Sequence, residues 1–289
     1  MSGETQSTSL RSVLLVWAHP EPKSLTCEFA SLASRTLQSL GHRVLHSDLH
    51  ALGWKAVVDG EDFQQRANPE RLSVPVESGH AWRTGTQAPD VQREQDKLMT
   101  ADAVIFQFPM WWFGMPAIMK GWIDRVFALG LAYGYKSAGN SFRYGEGGLA
   151  GKRALLSITV GGPESDFSPR GINGPLEHLL WPITHGTLFF AGMQVLPTQV
   201  VFGAGRLSSE DAQTAQQRYA ARLERLFDET PIPFRLQNGG DYPDKHVLGT
   251  DVAAGRDGFS AHLVERGEDL KVIDGSGIGS ATSQRQGSG

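Results

Sequence analysis

A single cysteine, Cys27, in 289 residues excludes an internal disulfide. The chain also lacks any apolar run near the roughly 18–20 residues that span a bilayer, the longest being interrupted by Gly, Pro, Thr or His. Neither sign of charge dominates: 27 Lys and Arg stand against 31 Asp and Glu, a formal net charge of -4. Nucleic acid and anionic membrane are therefore not evident partners, and a neutral or anionic small molecule stays open. The polar opening, residues 1–9, has none of the charged-then-apolar design of a secretion signal, so the expected location is the cytoplasm. An HExxH pair, a Walker lysine loop and a GxSxG elbow are all missing. What is present is a chain that is 40% hydrophobic and 9% aromatic, enough to bury one large core with a small appendage. The closing GSGIGSATSQRQGSG (275–289) reads as a frayed tail; its glycines echo a dinucleotide fingerprint but follow no strand and open no helix.

Short β-branched or aromatic runs bounded by turn residues predict buried strands at 13–18, 103–108, 154–159 and 195–202, with a weaker one at 43–47. Helical periodicity lies between them, at 26–40, 91–100, 116–129, 174–187 and 210–229. Strand alternating with helix predicts an α/β protein, an open doubly wound sheet of five parallel strands with helices on both faces. Residues 59–89 show no clear period and read as a long excursion, functional or subunit-bridging rather than a linker. Beyond Pro233 the pattern weakens. His42, His46 and His50 fall on or beside the weak strand, which fits an exposed sheet edge better than a metal site, and Cys27 fits packing better than nucleophilic chemistry.

Doubly wound sheets bind ligands beyond the carboxyl ends of their strands. After the first strand, His19-Pro20-Glu21-Pro22-Lys23-Ser24-Leu25-Thr26 leads into a helix, either as a plain capped start or as a phosphate site built from free amides and hydroxyls. After the next buried strand comes Pro109-Met110-Trp111-Trp112-Phe113-Gly114. Its aromatics cannot all turn inward, so they plug the sheet end, make a subunit contact or hold a flat ring such as an isoalloxazine or quinone. A third strand end carries Thr159-Val160-Gly161-Gly162, where paired glycines let backbone amides approach a ligand.

Together these segments resemble the NAD(P)H:quinone oxidoreductase family of flavodoxin-like flavoenzymes. The resemblance rests on VLLVWAHPEPKSLT, APDVQREQDKLMTADAVIFQFPMWWFGMPAIMKGWIDRVF, LAYGY, KRALLSITVGG, GINGPLEHLLWPITHGTLFFAGMQVL and DETPIPF, within about residues 11 to 235. It implies a flavodoxin-like domain over 10–235, with a C-terminal extension at 236–273 and the flexible tail from 274. It further implies bound FAD rather than FMN, NAD(P)H as donor, ping-pong two-electron reduction of quinones, and a homodimer with shared sites. Azo or nitroaromatic acceptors, or a flavin-binding regulatory role beside another protein such as an ion-efflux system, are the alternatives. Carried onto this chain, His19, Ser24, Leu25 and Thr26 would meet the diphosphate and ribityl region. Pro109, Met110, Trp111, Trp112, Phe113, Thr159, Val160, Gly161 and Gly162 would meet the ring. Trp112 and Phe113 would flank the substrate, joined by Tyr133, Tyr135 and Phe190 of the second subunit. Gly161 and Gly162 would act on the reacting ring with Phe167 and Asn173, which stand where the family has a Tyr and a His.

Overall fold

Along β1 (Ser12–Trp17), Val13 and Leu15 enter one core while Leu14 and Val16 enter another, the period-two alternation of a strand covered on both faces. The computed structural model describes residues 10–135 and 141–265; the expected tail at 274–289 and the end of the extension lie outside them. After β1 come α1 (Leu25–Ser39), β2 (Arg43–Asp48), α2 (Val74–Thr84), α3 (Pro89–Thr100), β3 (Ala103–Pro109) and α4 (Ala117–Val126). A short hairpin of β4 (Gly134–Tyr135) and β5 (Ser141–Phe142) precedes β6 (Arg153–Thr159) and α5 (Leu176–Ile183). The chain continues through β7 (Gln194–Val195), β8 (Gln199–Val201), α6 (Ser209–Leu223) and α7 (Gly258–Ala261).

The main sheet is parallel, in the order β2-β1-β3-β6-β7, with β8 also paired to β6. The chain moves from β1 outward to β2 and then returns across β1 to β3, so the winding reverses between β1 and β3. In sheets of this kind the ligand crevice lies at such a reversal, beyond the strand ends. Phe29, Ala33 and Leu37 of α1 pack with Tyr219 and Leu223 of α6 on one face. Leu98 of α3, Met119 and Trp122 of α4 and Leu180 of α5 cover the other.

The expected strand over 195–202 is broken into β7 and β8. Pro197 stands in the gap and has no N–H to give a ladder, and the register to β6 shifts by one residue between Ala154↔Val195 and Ser157↔Gln199. The helix expected over 174–187 ends at Ile183, because Pro182 supplies no backbone donor, and the chain widens into a π-turn at Thr184–Phe189. The helix expected to 229 stops regular pairing at Leu223, although Leu226 stays buried.

The excursion carries more structure than its lack of period suggests. Pro75 sits in the first turn of α2, where an N–H is not needed, and Gly85 closes the helix at φ 67°. Buried Glu77 accepts the N–H groups of Ala67 (2.7 Å) and Asn68 (3.0 Å). Arg125 of α4 holds the excursion by donating to Asp62 from Nε (3.0 Å) and Nη2 (2.7 Å), pairing with Asp90 (2.8 Å) and lying over the Trp54 ring (4.4 Å). Gly121 lets this segment pack against α4, since a Cβ there would stand 2.0 Å from the Ala56 carbonyl oxygen.

The chain past Pro233 folds back on the sheet domain. Phe234 bridges Leu263 antiparallel, Arg235 N–H donates to His262 (3.0 Å), and Phe259 of α7 stacks on Trp181 of α5. No helix among the described residues is long and apolar enough to cross a membrane.

Candidate active site

The loop after β1 ends on Ser24, whose side chain caps α1 by accepting the Cys27 N–H (3.3 Å). The N–H groups of Leu25 and Thr26 find no acceptor among the described residues, which leaves two amides with the positive end of a helix behind them. Buried Thr26 faces buried Thr159 through their hydroxyls (2.8 Å). One proton bridges the pair, so the other is left to donate elsewhere. Burial pushes the Cys27 thiol up, against the pull of its hydrogen bond with Ser24, so it is no activated nucleophile.

The loop after β3 is tied to its neighbours on both sides. Met110 N–H donates to the Thr159 carbonyl (2.9 Å), and the Trp111 ring lies 6.0 Å from that of His19. His19 is itself fixed by accepting the Glu21 N–H at Nδ1 (3.0 Å). The three strand-end loops therefore form one connected rim. Trp111 and Gly114 exchange backbone hydrogen bonds of 3.1 and 3.0 Å across a two-residue turn. Its central residues, Trp112 (φ 49°) and Phe113 (φ 61°), are both left-handed. Aromatic side chains rarely adopt such backbone, at about 1–3 kcal/mol each, and turns of this kind normally carry Asn-Gly. Trp112 is 97% exposed. A strained turn that delivers a tryptophan to solvent does nothing for the core.

At the third loop a Cβ on Gly161 would meet nothing within 4 Å, and its φ is not positive. The fold does not require glycine there. The N–H groups of Gly161 and Gly162 are not engaged by the described residues, while Val160 N–H and the Gly162 carbonyl pair with Val201 and Gly203. Just before the rim, Gln107 of β3 is fully buried with both amide atoms unpartnered. Free amides, a spare hydroxyl, an open glycine and exposed flat rings fit a group with a phosphate at one end and a planar polar ring at the other, as a flavin nucleotide has.

Of the residues singled out from the sequence, His19, Ser24, Leu25, Thr26, Pro109 to Phe113 and Thr159 to Gly162 come together at this rim. Phe167 lies beside Gly162 but is buried and packs at a tilt on Phe202 (5.6 Å). Asn173 N–H donates to the Asp166 carbonyl (2.9 Å), at the end of the same loop. Tyr133 and Phe190 form an aromatic group of their own, 5.5 Å apart, with Tyr144 5.1 Å from Phe190; Tyr135 belongs to β4. His46 accepts from or donates to Ser34 (2.7 Å) on the edge strand β2. Gln107 was legible only as a polar residue in a buried strand, FQFP, a signal not used.

The order of the sheet and a ligand rim at its switch point define a flavodoxin-like protein. The family model for the flavodoxin-like fold matches residues 11–226. The chain is 43% identical over 233 residues to a ribosyldihydronicotinamide dehydrogenase-like protein of Penicillium crustosum, covering 80% of this chain and 86% of that one. It is 40% identical to NAD(P)H dehydrogenase (quinone) 1 of Cavia porcellus, covering 78% and 81%. A solved Klebsiella pneumoniae protein assigned as a quinone reductase superposes with a TM-score of 0.84 at 46% identity, over 88% of this chain and all of that one. The chain belongs to the NAD(P)H:quinone oxidoreductase family.

Proposed function

We propose that this protein is a flavin-dependent enzyme that reduces quinones with NAD(P)H. The observation that carries the reading is the strained Trp112–Phe113 turn on a rim that also carries the open Gly161, at the switch point of the sheet. When bound, the flavin supplies two-electron transfer from the nicotinamide to the acceptor. FAD is the form the family resemblance implies. Leu25 and Thr26 amides, with the Ser24 and Thr26 hydroxyls, would hold the diphosphate end. Pro109 to Phe113 and Thr159 to Gly162 would bound the ring. The unengaged amides of Gly161 and Gly162 would be the donors available to negative charge on the bound ring, without themselves titrating. Asn173 adds a neutral amide where the family's imidazole would stand, and Phe167 offers packing in place of a hydroxyl. Trp112 and Phe113 would present a flat wall beside which donor and acceptor rings bind in turn. Such a wall discriminates poorly among planar acceptors.

We further propose a cytoplasmic homodimer in which Tyr133, Tyr135 and Phe190 of one subunit close the other's site. The grouping of Tyr133 with Phe190 away from the rim of their own chain supports this. The test is anaerobic stopped-flow spectroscopy. NAD(P)H should bleach the yellow protein in one turnover and a quinone should restore the colour, while heat-released cofactor should have the mass of FAD. Yellow protein that neither donor bleaches would overturn the enzymatic reading.

A further inference from the structure

A second opening lies away from the strand-end loops, between α5 with its π-turn and the folded-back extension. Its volume is about 420 Å³, within the 300–1,000 Å³ of small-molecule sites, and no residue of the three loops lines it. One wall is a column of nearly parallel rings, with Phe259 4.7 Å from Trp181 and Trp181 4.6 Å from His185. Tyr242 and His262 stack at 6.0 Å and share a hydrogen bond (2.8 Å). His185 makes no side-chain hydrogen bond to the described residues, so a half-buried imidazole meets the cavity with its nitrogens unused. Burial, with His262 adding to it, pushes that ring down to about 4, so at neutral pH it is uncharged and can donate from one nitrogen and accept at the other. Arg235, which pairs with Asp241 (2.9 Å) and donates to the Ala261 carbonyl, joins the lining with Lys245 and His246, and no Asp or Glu is among the lining residues. Tyr144 and Lys245 border the cavity with φ of 48° and 64°, strain held at its edge.

We propose that this cavity binds a planar aromatic carboxylate of one or two fused rings, its ring against the Trp181 column and its carboxylate taking a hydrogen bond from His185 on a lining that contains no carboxylate of its own. A neutral aromatic would gain the stacking but not the charge-assisted hydrogen bond from His185 to an ionised acceptor. Binding would tie the extension to α5, since the lining comes from both. None of the three strand-end loops lines this site, although Tyr144 at its edge packs on Phe190 (5.1 Å), which the proposed dimer places over the partner's crevice.

The test is calorimetric titration of the full-length protein as purified, with 2-naphthoate and its uncharged isostere 2-naphthamide. One naphthoate should bind per chain, about tenfold or more tighter than the amide, a gap of roughly 1.4 kcal/mol. His185→Phe, which keeps the ring and removes its nitrogens, should weaken naphthoate by a similar factor; His185→Gln, which keeps a donor, should restore part of it. Trp112→Gly, which strips the crevice wall, should leave naphthoate binding unchanged. Hydrogen exchange should slow across residues 235–264 on binding. Absence of binding, equal affinity for acid and amide, or binding lost in Trp112→Gly and kept in His185→Phe would each overturn the proposal.

Discussion

Single residues carry the strongest statements about function where the fold has no use for them. Gly161 is not needed by its backbone or by its neighbours, so Gly161→Ala should leave the melting free energy within about 0.5 kcal/mol while a methyl group intrudes on the ring's seat. The expected loss in kcat/KM for quinone is about tenfold or more, read from steady-state assays beside a thermal melt. Trp112→Gly should separate the two quantities further. Relief of the left-handed strain should raise stability by about 1 kcal/mol while activity falls. His185 gives a pH signature of its own. Its folded value, about 4, lies below the unfolded imidazole's 6.5, so acid protonates the unfolded chain first. Stability present above about pH 6.5 is lost as pH falls toward 4, by up to about 3 kcal/mol. Denaturant melts of wild type and His185→Phe should diverge over that window, the variant losing less.

At the scale of elements, the excursion between β2 and α3 hangs on Arg125. Its side chain and that of Asp62 are only 2% and 3% exposed, so Arg125→Met strips the buried carboxylate of its two guanidinium hydrogen bonds and leaves it only Lys55 at 3.6 Å and the Asp59 N–H. The expected cost is about 3–5 kcal/mol, with hydrogen exchange quickened across residues 59–89 ahead of the sheet. The same segment shows where sequence reading ends. β1, β3 and β6 were legible because short apolar runs between turns announce a buried parallel strand. α2 was not, because Pro75, Gly85 and the ties to Glu77 stabilise it rather than an apolar stripe. The break at Pro197 was written in the sequence but outweighed by the β-branched residues around it. The rim was legible loop by loop, and its unity was not. The links from Thr26 to Thr159 and from His19 to Trp111 join residues far apart in the chain. The cavity under the extension was illegible for the same reason, its rings coming from the π-turn region, the segment after Pro233 and α7.

For the whole molecule, the sheet order, the position of the rim and the family agree on one arrangement. The proposed arrangement puts a planar redox group across the switch point between β1 and β3, with its phosphate end at the start of α1. The quantity that tests this most directly is the flavin content per chain after purification and incubation with excess FAD, read from absorbance against protein concentration. The account predicts close to one flavin per chain, lowered in a Thr26→Val, Thr159→Val double variant that still melts cooperatively. A folded wild-type chain that stays colourless and takes up no flavin would contradict it.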